Sequence, residues 1–178
     1  MQSDFNLHVL DNFLSDDAYT EAINLIPTID WGAKTLKYNG LDNEHRWFSS
    51  HLASHHPIAV EIEKNIKEKT KFKFRGFRLL AFTMVPKMEP FPHVDLDDGS
   101  GHTNQLVLYI DGNTEMNKGT GFYVQDSETN INLNTHIGFH KNRAILFKSG
   151  MYHSPLLFLS NDSIPRISII NSLTMLIL

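Results

Sequence analysis

The sequence predicts an α+β protein: a double-sheet jelly roll with N-terminal helices packed on one sheet. Two observations point there. From Phe72 onward the chain breaks into short segments rich in aromatic and β-branched residues, separated by turn-forming clusters. Before that point it carries two stretches of helical texture instead. No internal repeat or low-complexity linker divides the 178 residues, so one domain is expected, with a helical part at 1–71 and a jelly-roll core at 72–178.

Each element follows in order. Val9 and Leu10 lead into Asp11-Asn12-Phe13-Leu14-Ser15-Asp16-Asp17, which reads as a strand end and then a helix start. Ser15 is a good N-cap, and acidic residues in the first turn suit the helix dipole. Ala22, Ile23 and Ile26 continue the apolar stripe, and Pro27 stops it. A second helix is predicted over Pro57 to Lys71, with Ile58, Val60, Ile62 and Ile66 apolar. Phe72 to Val85 is a long strand ending at Pro86, with Gly76 marking a bulge or bend. Further strands are predicted at Gln105–Ile110, Thr120–Gln125, Asn130–Leu133, Arg143–Lys148, Leu156–Leu159 and Arg166–Leu173. The apolar end, Leu173 to Leu178, suggests a sheet edge that is covered or paired. Trp31 to Phe48 is loop-like and is expected either to cover the core or to form a substrate lid.

Composition narrows the chemistry. There is no cysteine, which excludes disulfides, thiolate nucleophiles and Cys-based zinc or iron–sulfur sites. Any metal must therefore be held by His, Asp or Glu, and ten His residues are available. A cysteine-free chain without a signal-like start fits a cytoplasmic location. No stretch approaches the roughly 20 apolar residues that span a bilayer. The formal charge of -4 argues against a nucleic-acid partner.

The sharpest local signal is Phe91-Pro92-His93-Val94-Asp95. Residues two apart in an extended segment point to one side, about 6.6 Å apart along the strand. His93 and Asp95 would thus offer an imidazole and a carboxylate to one point. A 2-His-1-carboxylate facial triad with open positions marks non-haem Fe(II) oxygenases. His153, just after the turn at Ser149-Gly150, is the preferred third ligand; His136, His140 and His102 are its rivals. A lone His-X-Asp arises often by chance and gains weight only in company. Thirteen residues after His153 comes Pro165-Arg166-Ile167-Ser168-Ile169-Ile170, an Arg and a Ser two apart in an apolar strand. An inward Arg is costly unless a carboxylate meets it, and its planar fork suits one. On the alternative register Ile167 and Ile169 face the core and Arg166 faces solvent.

His93-Val94-Asp95, His153, Arg166 and Ser168 together resemble, in order and spacing, the Fe(II)/2-oxoglutarate-dependent dioxygenase superfamily. The texture resembles its prolyl 4-hydroxylase-like branch at Gln105 to Ile110, Lys118 to Tyr123, Asn142 to Phe147 and Val9 to Ser15. One departure is Gly119-Thr120-Gly121 where the branch carries Gly-Gly-Thr. The resemblance implies a double-stranded β-helix, with metal on His93, Asp95 and His153. It implies 2-oxoglutarate anchored by Arg166 and Ser168, with Tyr109 as a further contact and Tyr123 as a second candidate, either Tyr being as readily simple core packing. The implied reaction releases succinate and carbon dioxide and hydroxylates a C–H bond of a peptide or small molecule, with ascorbate as a further requirement to test.

Two other readings use the same features. One is a cupin-like β-sandwich that binds metal or sugar without 2-oxoglutarate; it usually shows His-X-His, absent here. The other is a non-catalytic relic of an oxygenase fold, against which the intact triad and Arg166 argue. His51, His55 and His56 read as surface residues, as do Arg75 and Arg78. Asp97-Asp98-Gly99-Ser100-Gly101 reads as a loop without the EF-hand spacing. Substrate and oligomeric state are not readable.

Overall fold

The computed structural model describes residues 7–35, 46–70, 74–85, 92–95, 103–112, 114, 118–127, 130–157 and 166–175. The expected loop at Asp97 to Gly101, His102, the centre of the expected lid at 36–45 and the end of the chain at 176–178 lie outside these residues, as do the side chains of Trp47, Arg75 and Arg78.

A short strand β1 (Leu7–Leu10) opens the fold and is followed by helix α1 (Asp16–Leu25). Ser15 caps α1 from an extended backbone, its hydroxyl accepting from the Ala18 amide. The α-helix ends at Leu25, and Pro27 sits in a single 3₁₀ turn over Ile26–Thr28. The chain beyond Trp31 does not run on as a simple loop: β2 (Gly32–Thr35) pairs antiparallel with β3 (Arg46–His51). Helix α2 (Pro57–Thr70) follows. Ile58, Ile62 and Ile66 recur every four residues, form one face, and are each 0% exposed. Burial of each such side chain is worth about 1.5–3 kcal/mol.

The strands after α2 are β4 (Phe74–Val85), β5 (Asn104–Asp111), β6 (Lys118–Ser127), β7 (Asn130–Gly138), β8 (Ala144–Lys148), β9 (Tyr152–Leu157) and β10 (Arg166–Met175). Among the described residues, these and β1–β3 form a seven-stranded sheet in the order β1-β8-β5-β10-β4-β3-β2 and a three-stranded sheet β7-β6-β9. All pairings are antiparallel. The register of β4 against β10 shifts between Leu173 and Met175, which face Phe77 and Phe74, so β4 carries an extra residue in the stretch that holds Gly76. The apolar β10 is not an edge: it lies between β4 and β5 and is paired on both sides.

The large sheet has a hydrophobic cluster on each face. One, with Ile58, Ile62 and Ile66 of α2 and Phe13, Ala18 and Ala22 around α1, packs on Leu80, Phe82, Leu106, Leu108, Ile110, Ile167 and Ile169. The other, Val107, Tyr109, Phe122, Phe139, Ile145 and Phe147, lies between the two sheets. This is a double-stranded β-helix with both helices on the outer face of one sheet. Strand alternation then fixes directions: Ile167 and Ile169 face the helices, so Arg166 and Ser168 face the space between the sheets. Among the described residues, no helix is long and apolar enough to cross a membrane.

Candidate metal centre

His93 and His153 meet through the backbone first. They form an isolated antiparallel bridge in which each amide donates to the other's carbonyl, at 2.9 and 2.8 Å. Their side chains therefore emerge on one side, with ring centroids 4.5 Å apart. Asp95, two residues on, places its carboxylate against both imidazoles. Oδ1 is 3.8 Å from His93 Nε2 and Oδ2 is 3.4 Å from His153 Nε2. One ligand atom from each of the three residues lies within 4.8 Å of the others, spacing in which one ion can bind all three.

The centre is dry on one side and open on the other. The His153 side chain is 9% exposed and that of Asp95 37%. The Phe147 ring packs edge-on against the His153 imidazole at 4.7 Å, and Phe122, its register partner across β6, lies at 6.4 Å. His153 Nδ1 lies 3.0 Å from the Met151 carbonyl. A proton on Nδ1 completes that hydrogen bond and leaves the Nε2 lone pair facing Asp95, the tautomer a metal ligand needs. The rivals are elsewhere. His136 is the register partner of Gly121 and shares the face of β6 turned away from Phe122. His140 is exposed, with Nδ1 near the Lys141 carbonyl.

Arg166 is the second feature. It is 8% exposed, and among the described residues no carboxylate pairs with it. Its Nη1 donates to the Gly119 carbonyl. Its guanidinium lies over the Tyr109 ring, 5.5 Å from the centroid. Burial pulls its pKa below the usual arginine value, and only the nearby Tyr109 opposes this. Among the described residues, Nε and the Ser168 hydroxyl are both buried without a hydrogen-bond partner. Two such donors beside a buried cation are an arrangement that can receive an anion. Ser168 is the register partner of Thr83 on β4 and of Tyr109 on β5, so this polar patch spans three strands.

Tyr109 is 0% exposed and stacks on Phe139. Its hydroxyl lies 2.7 Å from Thr120 Oγ1. Burial raises its pKa, so it remains a neutral phenol. It shares the inter-sheet cluster with Phe122 and Phe147, which flank His153, so the anion receptor and the three-residue centre line one interior. Tyr123 does not join them. It alternates with Phe122 to the opposite face of β6 and its phenol bonds Ser154. Sequence reasoning missed the two residues that hold the receptor, Gly119 and Thr120. The available signal was the Gly-Thr-Gly order, which sets a small backbone unit beside a hydroxyl.

No protein-family model matches the chain, and no curated protein matches it in sequence. Solved structures do match in shape. A prolyl hydroxylase from Trichoplax adhaerens, in complex with a hypoxia inducible factor oxygen degradation domain peptide fragment, is 16% identical, with a TM-score of 0.63 over 96% of this chain and 84% of that one. A prolyl-4-hydroxylase from Pseudomonas putida is 11% identical, with a TM-score of 0.60 over 97% and 94%. The non-heme alpha ketoglutarate dependent epimerase SnoN from nogalamycin biosynthesis is 11% identical, with a TM-score of 0.63 over 96% and 78%. At these identities the likeness is one of fold. It is a fold shared with solved 2OG-Fe(II) oxygenases, prolyl hydroxylases among them.

Proposed function

We propose that this chain is a single-domain, non-haem Fe(II)- and 2-oxoglutarate-dependent dioxygenase that hydroxylates a C–H bond of a peptide or small molecule. The observation that carries the reading is Arg166, a buried cation with an unmet Nε and an unmet Ser168 hydroxyl beside it, lining the same interior as His93, Asp95 and His153. A cupin-like binder has no use for such a receptor; a dicarboxylate held at its far end does. Two imidazoles and one carboxylate are the donor set of this iron class.

His93, Asp95 and His153 would hold the metal through one side of its coordination shell and leave the rest open. Arg166 and Ser168 would hold the far carboxylate of 2-oxoglutarate, with Tyr109 as a further donor. When bound, Fe(II) and 2-oxoglutarate would supply, with dioxygen as the oxidant, oxidative decarboxylation to succinate and carbon dioxide coupled to hydroxylation, one oxygen atom entering succinate and the other the C–H bond. Phe122 and Phe147 keep water from the inner side of His153. The Met151 carbonyl orients that imidazole.

Both substrate classes have support from the similar structures: one holds a peptide fragment, and SnoN was solved with nogalamycin RO. A cysteine-free chain suits the reducing cytoplasm, where Fe(II) persists and ascorbate can keep it reduced. The test is succinate formation on adding Fe(II), ascorbate and 2-oxoglutarate, beside calorimetric titration of Mn(II) and then 2-oxoglutarate. Binding of both, with succinate above the enzyme-free control, is expected. A chain that binds neither refutes the assignment.

A further inference from the structure

We propose that Thr120 is a positioning residue for the co-substrate, its hydroxyl donating a hydrogen bond to the Tyr109 oxygen so that the Tyr109 O–H points to the carboxylate at Arg166. This role rests on the 2-oxoglutarate reading above. Tyr109 and Thr120 are 0% and 2% exposed, and their hydroxyls, 2.7 Å apart, can donate in either direction. A phenol has one proton, and a carboxylate only accepts. Once Tyr109 commits its one O–H to the carboxylate, its oxygen can only accept in the bond to Thr120, so the Thr120 hydroxyl is the donor there. The direction is then fixed: Thr120 to Tyr109 to carboxylate. Such chains strengthen each link in a dry interior.

The backbone beside Thr120 holds the other half of the receptor. The Gly119 carbonyl takes Arg166 Nη1, while Nε and the Ser168 hydroxyl stay without a partner among the described residues. Gly119 is at φ +139, and a Cβ there would meet the Ile137 carbonyl at 2.0 Å, so no other residue fits. One dipeptide thus sets both anchors, Arg166 through a peptide carbonyl and Tyr109 through a side chain. The Gly-Thr-Gly order is the form this requires: glycine for the carbonyl, threonine for the hydroxyl.

A plain cross-sheet tie between β5 and β6 would show the same bond. Titration of 2-oxoglutarate into the Mn(II)-loaded full chain separates the two. Thr120→Val is expected to weaken 2-oxoglutarate binding about tenfold and leave Mn(II) affinity unchanged, and Thr120→Ser to restore binding to within about twofold. In a Tyr109→Phe background, Thr120→Val should cost nothing further. Unchanged 2-oxoglutarate affinity in Thr120→Val, no rescue by Ser, or full additivity with Tyr109→Phe overturns the role. So does an equal loss of Mn(II) affinity. If Thr120→Val does not fold, Tyr109→Phe reads the relay from its other end, and wild-type affinity there overturns it. Arg166→Met distinguishes the two levels. If it binds 2-oxoglutarate as tightly as wild type, the co-substrate reading itself fails and this role with it. If it binds weakly while Thr120→Val does not, only the role of Thr120 fails.

Discussion

At the residue scale, Arg166 is the costly choice. Its charge is buried, its pKa is depressed by that burial, and among the described residues only a carbonyl and an aromatic face answer it. Arg166→Met should therefore leave the melting temperature of the ligand-free chain unchanged or higher, while 2-oxoglutarate affinity falls by about a hundredfold. A structural arginine would give the reverse, a lower melting temperature with no effect on the titration. Asp95→Ala removes the carboxylate that faces both imidazoles and should abolish Mn(II) binding, read by equilibrium dialysis, without unfolding a residue so open to solvent. The pairing of His93 with Asp95 was legible in the sequence because alternation is local. His153 is preferred to His136 from its place just after a strand and turn, and His93, Asp95 and His153 do meet; which face each side chain takes is visible only in the sheets. The same holds for Tyr109, the first choice, and Tyr123, the second, which alternation on β6 separates.

At the scale of elements, the helices were the most legible, since Ser15, Pro27 and the four-residue spacing of the isoleucines are local signals. Strand ends were less so. β9 begins at Tyr152 rather than Leu156, and β7 runs to Gly138 rather than Leu133. Pro155 disguises β9 as a turn, yet it is accommodated in a strand at the end of its sheet, opposite Thr120. The latch between the N-terminal part and the site strand could not be read at all. Asn142, at φ 60, gives and takes hydrogen bonds with Leu14 through its side chain, and its amide bonds the Tyr109 carbonyl. Asn142→Gly keeps that backbone and removes the clamp, leaving two buried Leu14 groups unmet. A loss of about 2–4 kcal/mol in urea unfolding is expected. Beside it, Arg143 grips Asp11 at 2.5 and 3.0 Å and holds that carboxyl below its usual pKa. A depressed carboxylate stabilises the fold above its unfolded pKa and loses that stabilisation as pH falls through the folded one. Asp11→Asn should therefore melt lower than wild type at about pH 7, and the gap should narrow as pH falls below the usual carboxylate range.

Across the whole molecule, the large sheet separates two tasks. Its helix-facing side is apolar and readable from periodicity, and it supplies stability. Its other side mixes Val107, Ile145 and Phe147 with Arg166, Ser168 and Tyr109, a pattern that looks like a weaker core until the second sheet is laid over it. A ligand that binds only the folded state raises stability by mass action. Mn(II) followed by 2-oxoglutarate should raise the melting temperature in two steps, with the second step missing in Arg166→Met. The paired amides of His93 and His153 carry a further implication. About sixty residues separate these two positions, and two peptide hydrogen bonds and a ring contact join them. An ion shared by both rings would act there as a removable cross-link, closing a long loop in the manner of a disulfide in a chain that has no sulfur for one.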